Sequence, residues 1–257
     1  MRRVLVLGAT SPIAKALCRE LAQQGDTLFL AARPAPQQLA GRPRNSSSHS
    51  ERDDLQALAA DLRVRYQATV HTGCVDAQQR DTHPAFFEKA LQALGGLDGV
   101  IVTIGALGDQ PADSYDHQAA SRLIDVNFSG PSSLLALCAN QLEKQGAGFL
   151  LAYSSVAGDR GRQSNYAYGA AKAGLNVFLQ GLRHRLGPCG VRVITIKLGF
   201  VDTEMTWGLP GLFLVASPQQ IARKTLRTLK GPGRTYYLPG FWRFILFVLR
   251  NLPERVF

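Results

Sequence analysis

The chain has 257 residues and carries 29 Lys and Arg against 19 Asp and Glu, which gives a formal net charge of +10. A hydrophobic fraction of 46% and a charged fraction of 19% are typical of a globular protein with a core, and they exclude a disordered chain. The basic residues are scattered and form no cluster interleaved with aromatic side chains. We therefore predict that the protein does not bind nucleic acid.

The first residues and the cysteines indicate the compartment. The opening MRRVLVLGAT combines two Arg with an apolar run, as a signal peptide does, but the run ends at Gly8 and is too short. The cysteines at 18, 74, 138 and 189 are widely separated, without a CxxC or a metal-type spacing. We expect reduced, mostly buried thiols, no metal site and a cytoplasmic protein.

Apolar runs of strand length alternate with helical patterns along the chain. The predicted strands cover 3–8, 27–33, 69–76, 97–105, 148–155 and 191–199. The predicted helices cover 13–25, 54–66, 83–94, 136–146 and the segment around Tyr168, and the Ser-rich stretch 42–54 is predicted to be an exposed loop. Continuous apolar strands separated by helices indicate a parallel sheet covered on both faces. We predict an α/β, Rossmann-type fold: a doubly wound parallel sheet in three layers, α/β/α, forming a single domain over residues 1–240.

The first strand-to-helix turn has the composition of a phosphate-binding turn. Gly8, Thr10 and Ser11 are small, so backbone N–H groups and the helix N-terminus can approach a pyrophosphate. Thr10 or Ser11 can cap the helix that begins near Pro12. A tight turn without a ligand would have a similar composition, so this motif alone is a weak signal.

The end of the second strand bears on the choice of dinucleotide. Arg33 stands where an enzyme that selects NAD normally has Asp or Glu for the ribose hydroxyls, and an Arg there accommodates the 2′-phosphate of NADP. No acidic residue follows until Glu51. We predict NADP(H) as the cofactor, with NAD(H) as the alternative, and an ordinary solvated Arg is the other interpretation.

The segment SNYAYGAAKAGL, residues 164–175, contains two tyrosines, of which only Tyr168 has a lysine, Lys172, four residues later. Residues four apart share a helix face, so this pair can point into one space, and Tyr166 has no such partner. Either the pair decorates a helix surface, or the lysine, together with the nicotinamide when that is oxidised, lowers the tyrosine pKa from about 10 by roughly one to three units and tunes it as a proton donor.

The residues around this pair favour the second interpretation. Ser155 stands thirteen residues before Tyr168 at a strand end, and DVNFSG (125–130) supplies Asn127. With these motifs nearly the whole chain resembles the short-chain dehydrogenase/reductase family. The resemblance implies catalysis by Asn127, Ser155, Tyr168 and Lys172. Tyr168 would donate the proton, Ser155 would bind the developing alkoxide, Lys172 would also hold the nicotinamide ribose, and Asn127 would maintain a water-linked proton path.

The same resemblance implies cofactor contacts along the sheet edge. Asp76 matches the family's adenine-binding acidic residue, and Thr203 matches the threonine that contacts the nicotinamide carboxamide. The chain departs from the family's glycine-rich patterns at residues 7–14, 103–105 and 198–199. The predicted cofactor-binding residues are Gly8, Thr10, Ser11, Pro12, Ile13, Arg33, Asp76, Gly105, Tyr168, Lys172, Gly199, Val201 and Thr203.

Two apolar segments lie near the C-terminus, at 204–215 and 241–257. Only Arg243 interrupts the apolar run that begins the second segment, and Arg250 and Arg255 follow it. The run is shorter than the roughly 20 residues that span a bilayer. Either the segment packs into the domain or a dimer interface, or it lies in a membrane interface with its aromatic side chains in the lipid and its arginines at the headgroups.

The motifs LGDQPA and AGDRGRQSNYAYGAAKAGL and the tail FWRFILFVLRNLPERVF further resemble the decaprenylphosphoryl keto-pentose (2-keto-ribose) reductases. This resemblance implies an NADPH-dependent carbonyl reductase for a keto-sugar on a polyprenyl phosphate, acting after a flavin-dependent oxidase partner at the inner face of the membrane. We also expect a homo-oligomer. The alternatives are a general fatty or steroid ketone reductase and a non-catalytic NADP-binding module, which the presence of both Ser155 and Tyr168 disfavours.

Overall fold

Seven parallel strands form one sheet in the computed structural model, which describes residues 1–34, 51–208 and 211–256. The strand order is β3-β2-β1-β4-β5-β6-β7, so the chain winds outward from β1 in both directions. The strands are β1 (Arg3–Leu7), β2 (Thr27–Ala32), β3 (Val70–Cys74), β4 (Gly99–Val102), β5 (Gly148–Ser155), β6 (Val191–Leu198) and β7 (Thr235–Leu238). The predicted doubly wound α/β sheet is confirmed.

Helices cover both faces of this sheet because its strands are apolar on both sides. The six residues of β2 are all buried, and one hydrophobic cluster lies on each face. The helices are α1 (Pro12–Gln23), α2 (Glu51–Tyr66), α3 (His83–Leu94), α4 (Gln110–Asp113), α5 (His117–Ile124), α6 (Gly130–Gln145), α7 (Tyr166–Leu186), α8 (Pro218–Thr228) and α9 (Trp242–Asn251). A π-helical turn, Asp125–Ser129, joins α5 to α6.

Several elements differ from the predicted set. Strand β7 and helices α4, α5 and α8 are additional to it, and β7 has only four residues and lies at the sheet edge. Of the loop predicted at 42–54, residues 51–54 form the first turn of α2, and 42–50 lie outside the described residues. The tail forms α9, which packs against the body through Trp242 and Leu246.

The parallel arrangement brings the carboxyl ends of all seven strands to one edge of the sheet, which is where the predicted site residues lie. None of the described helices has the length and apolar character needed to cross a bilayer. The four cysteines are free; Cys18 and Cys138 are buried, whereas Cys74 is exposed, so the expectation of mostly buried thiols holds for only part of the set.

Candidate active site

The site is organised by the connection between β5 and α7. Ser155 is the last residue of β5, and the 3₁₀ turn Val156–Asp159 follows it directly. This turn packs against α7 so closely that a Cβ atom at Gly158 would lie 2.7 Å from the carbonyl carbon of Lys172. The absence of a side chain at this position therefore brings the end of β5 next to Tyr168 and Lys172.

The two tyrosines of α7 have different surroundings. Tyr168 and Lys172 are both buried on one face of the helix, and the Lys172 Nζ lies 5.6 Å from the centroid of the Tyr168 ring. Tyr166 is 48% exposed, and its hydroxyl donates a hydrogen bond to the Ser114 Oγ at 3.0 Å. Only Tyr168 is thus placed with a lysine and a serine in an enclosed space.

Burial determines the protonation of this pair. It raises the pKa of the Tyr168 phenol to about 12, although the hydrogen bond with Ser155 acts in the opposite direction. Burial also lowers the pKa of Lys172 to about 8. The expectation that Lys172 lowers the pKa of Tyr168 is not met in this structure, because loss of hydration around the phenol dominates. The phenol is therefore protonated at neutral pH, which is the form that donates a proton.

The Lys172 ammonium adjoins a space that fits a hydroxyl-bearing ligand. It forms no hydrogen bond or ion pair with another residue in the part of the chain that the structure describes. A Cβ atom at Gly105 would lie 3.1 Å from its Nζ and 3.0 Å from the Asn127 Oδ1. A buried ammonium requires acceptors, and ribose hydroxyls are acceptors of the right kind. The Lys172 ammonium beside Gly105 therefore fits the ribose of a nicotinamide nucleotide.

Asn127 is fully buried in the π-helical turn, and its amide is bonded to backbone groups. The Nδ2 donates to the carbonyls of Ala106 at 2.8 Å and Leu123 at 2.9 Å, and the Oδ1 accepts from the Ala106 N–H at 3.2 Å. This side chain fixes the segment that follows β4, including Gly105, against α5. Its participation in a water-linked proton path stays a prediction.

The turn after β1 is shaped for close approach of an anion. Gly8 has a φ of 85°, a left-handed conformation that favours glycine, and a Cβ atom there would lie 2.7 Å from the Thr103 Oγ1. The Ser11 Oγ caps α1 by accepting from the Ala14 N–H at 3.2 Å. Helix N-termini attract phosphate groups, and the turn residues Thr10, Pro12 and Ile13 all retain some exposure.

Beyond the end of β2, Arg33 points into solvent and forms an ion pair with Glu51, the first residue of α2. In the sequence, Glu51 is the first acidic residue after Arg33. The fold brings the two side chains together, so Arg33 offers a cation for a 2′-phosphate while Glu51 offers a carboxylate for ribose hydroxyls. The geometry here accommodates either dinucleotide.

The remaining predicted contacts follow β3 and β6. Asp76 is partly buried, and its Oδ1 accepts from the Gln78 N–H at 2.9 Å. The indole of Trp242 occupies the space beside Gly199, since a Cβ atom there would fall only 1.8 Å from the Trp242 Nε1. The Val201 carbonyl accepts from Thr206 Oγ1 at 2.6 Å and from Thr203 Oγ1 at 3.4 Å, so these residues form one compact turn above the sheet edge.

A partly buried charged cluster beyond Ser155 has no signal in the sequence. Asp159, which ends the 3₁₀ turn, forms an ion pair with Lys197 of β6 and accepts from the Tyr237 hydroxyl at 2.7 Å. Burial, with Asp159 adding to it, raises the pKa of Tyr237 to about 12. The cluster joins β6 and β7 to the turn that follows Ser155, and its members are too far apart in sequence for spacing to reveal it.

Gln110 was also missed, although it stands in the LGDQPA motif. It is buried, and its Oε1 accepts from the Ala167 N–H at 3.0 Å. Asn165, at the N-cap position of α7, makes no side-chain cap bond. Gln110 therefore satisfies a free N–H in the first turn of the helix, directly before Tyr168.

The doubly wound parallel sheet gathers Ser155, Tyr168 and Lys172 at its carboxyl edge, and comparison with known proteins gives the class as an oxidoreductase. The family model "short chain dehydrogenase" matches residues 2–210, and the chain belongs to this family. An uncharacterized oxidoreductase of Mycobacterium tuberculosis is 34% identical over 253 residues, 98% of this chain and 94% of the relative. Another, from Streptomyces coelicolor, is 34% identical over 259 residues, covering all of this chain and 94% of the relative.

Solved structures of dehydrogenases and reductases share the fold. Levodione reductase superposes with a TM-score of 0.78 at 21% identity, covering 94% of this chain and 97% of that one. An alcohol dehydrogenase from Thermococcus sibiricus, complexed with 5-hydroxy-NADP, gives a TM-score of 0.76 at 22% identity and covers 99% of both chains. An NAD⁺-bound xylitol dehydrogenase gives a TM-score of 0.77 at 18% identity, and the match covers 92% of this chain and 97% of that one.

Proposed function

We propose that the protein is an NADPH-dependent carbonyl reductase in which Tyr168 donates a proton to the oxygen of a ketone. The observation that carries this proposal is the burial of Tyr168 and Lys172 side by side next to Ser155. When bound, the nicotinamide supplies the hydride. The Tyr168 phenol is protonated at neutral pH, which is the form that donates a proton to a ketone oxygen.

The other residues of the site support this proton transfer. The Ser155 hydroxyl donates a hydrogen bond to the oxygen on which negative charge develops. The Lys172 ammonium holds the ribose and keeps a positive charge near the phenol as it loses its proton. Asn127 acts as a positioning residue by fixing the segment around Gly105, on which the nucleotide rests.

Arg33 supports NADPH as the cofactor, because it offers a cation for the 2′-phosphate. Glu51, its ion-pair partner, supports NADH, because it offers a carboxylate for the ribose hydroxyls. A guanidinium binds a phosphate through charge-assisted hydrogen bonds that a ribose hydroxyl cannot replace. We favour NADPH because the Arg33 guanidinium stands just beyond the end of β2, where an Arg accommodates a 2′-phosphate, and most of its side chain is accessible. NADH is the alternative cofactor.

For the substrate, we propose a lipid-linked ketone, specifically a keto-sugar on a polyprenyl phosphate that a flavin-dependent oxidase produces. The resemblance of LGDQPA and of the tail to the keto-pentose reductases supports it, as does the apolar segment beside the site. A fatty or steroid ketone is the competing substrate class. NADPH oxidation measured with lipid-linked keto-sugars, medium-chain ketones and steroids distinguishes them, and turnover of steroids alone would overturn the keto-sugar.

Exchange of Tyr168 for phenylalanine tests the reaction itself. Tyr168→Phe should lower kcat for ketone reduction by roughly 10²–10⁴-fold, because the phenol supplies the proton. NADPH binding, measured by fluorescence titration, should stay within a few-fold. Tyr166→Phe is the matched control, since it removes a hydroxyl from the same helix outside the enclosed space, and it should keep full activity. Full activity of Tyr168→Phe would refute the assignment.

A further inference from the structure

Helix α9 carries two apolar faces, of which only one is covered. Trp242 and Leu246 are buried against the body of the protein. Phe244 and Phe247 are 75% and 70% exposed. We call the uncovered side the outer face of α9, and its exposed large apolar residues are Phe241, Phe244, Phe247 and Val248. Spacings of three and four residues place them on one stripe along the helix.

A second exposed apolar segment adjoins this face. The loop that follows β6 exposes large apolar side chains at Met205, Trp207, Phe213, Leu214 and Val215. The rings of Phe213 and Phe241 both contact Trp242, with centroid distances of 5.7 Å and 5.8 Å. The loop and α9 therefore present apolar side chains around one shared indole, and contiguous exposed apolar surface marks an interaction site.

The outer face of α9 also carries positive charge. Arg243 and Arg250 line one depression together with Tyr237, Phe244 and Phe247. Both arginines are exposed, neither forms an ion pair with a carboxylate among the described residues, and α9 contains no Asp or Glu. The face is thus apolar along its centre and cationic beside it.

Helix α9 is attached to the body of the protein through its buried side and its C-terminal carbonyls. The Arg160 Nη1 donates to the carbonyls of Leu249 at 2.5 Å and Leu252 at 2.6 Å. Val156, the residue after Ser155, packs beneath α9 against Trp242. The buried side of α9 therefore adjoins the residue that follows Ser155, and the outer face lies on the opposite side of the helix.

We propose that the outer face of α9 docks onto a membrane surface that contains anionic phospholipids. Aromatic side chains with flanking arginines are what a helix in the plane of a membrane interface presents, and anionic headgroups attract each arginine. A second copy of the chain fits less well, because a two-fold contact centred on α9 would place arginines against arginines without facing carboxylates on the helix. The inference concerns location rather than chemistry, so it goes beyond the proposed reduction.

Sedimentation with vesicles tests the docking. The full-length protein is mixed with phosphatidylcholine vesicles, with or without 30% phosphatidylglycerol, at low salt and at roughly 0.5 M salt, where exposed charges are strongly screened. Phe244→Ser with Phe247→Ser removes the apolar stripe without changing the charge. Arg243→Gln with Arg250→Gln removes the charge without changing the stripe. Val64→Ser is the control, because Val64 is an exposed apolar residue on α2.

The wild type and Val64→Ser should sediment with the anionic vesicles and be only partly released by salt. The phenylalanine variant should lose at least about tenfold in partitioning, and the arginine variant should lose roughly thirtyfold on anionic vesicles only. Equal sedimentation of wild type and phenylalanine variant would overturn the proposal. So would a change of oligomeric state in either double variant without vesicles, which would identify the face as a subunit contact. Turnover of a water-soluble ketone, unchanged in all variants, reports separately on the reaction.

Discussion

Replacement of Lys172 by methionine should stabilise the protein while it destroys the function. Burial lowers the pKa of Lys172 from 10.5 to about 8, so the folded protein binds this proton less tightly than the unfolded chain does. At about 1.4 kcal/mol per pKa unit, the 2.5-unit difference costs the folded state about 3 kcal/mol at pH 7. Lys172→Met should therefore raise the free energy of unfolding by about 3 kcal/mol.

The dependence on pH makes this prediction specific. A group with a lowered pKa in the folded state destabilises it below that pKa, and the cost decreases as pH rises from about 8 towards 10.5. At pH 9.5 the cost for Lys172 falls to about 1 kcal/mol, so the advantage of methionine should shrink by more than half. Urea unfolding of the cofactor-free protein at both pH values measures it. Lys144→Met, at an exposed position on α6, is the control that should show no such change. A Lys172→Met variant that is less stable than wild type at pH 7, or whose advantage is undiminished at pH 9.5, would refute the reasoning.

Three further predictions concern the nucleotide, the start of α7 and the pH profile of the reaction. Arg33→Asp should raise the KM for NADPH by roughly tenfold, and Glu51→Gln should lower the KM for NADPH. The KM for NADH, measured in parallel, is the comparison. A wild type that prefers NADH would contradict the choice of NADPH. Gln110→Ala should lower the free energy of unfolding, measured in urea, by about 1–3 kcal/mol, because it leaves a buried N–H without an acceptor. Gln110→Glu keeps an acceptor oxygen and should lose much less. Equal losses in the two variants would show that the acceptor is unimportant. Ketone reduction should decline as pH rises through about 8, because Lys172 loses its proton there, and a rate that rises between pH 7 and 9 would exclude the charged lysine.

The sheet could be predicted because each central strand is a continuous apolar run bounded by turn residues. Strand β5 is an example, since its predicted and observed bounds coincide at Gly148 and Ser155. Strand β7 could not be predicted in this way. Its four residues pair only with β6 and three of them are half-buried, so neither length nor hydrophobicity distinguishes the strand from a loop. A local hydrophobic pattern reflects the burial of side chains, and the side chains of an edge strand are less buried than those of a central strand.

The proposed catalytic residues could likewise be nominated from local spacing, because the family motif places Tyr168 and Lys172 one helical turn apart. The pairing of Arg33 with Glu51 could not be predicted from local spacing, because it depends on where α2 begins after an intervening segment. The pKa of Tyr168 was expected in the wrong direction because sequence shows a neighbouring charge but does not show the loss of water around a buried phenol.

The contact between Trp242 and Gly199 has a consequence for redesign of the substrate range. The indole fills the space above the end of β6 and is completely enclosed, with Nε1 lacking a hydrogen-bond partner among the described residues. A smaller residue at 242 would leave an indole-sized void between Gly199 and Val156, which adjoins Ser155. Mutant libraries aimed at bulkier ketones should therefore vary position 242 together with Phe200 and Phe213, whose rings contact the indole, instead of the proton-transfer residues.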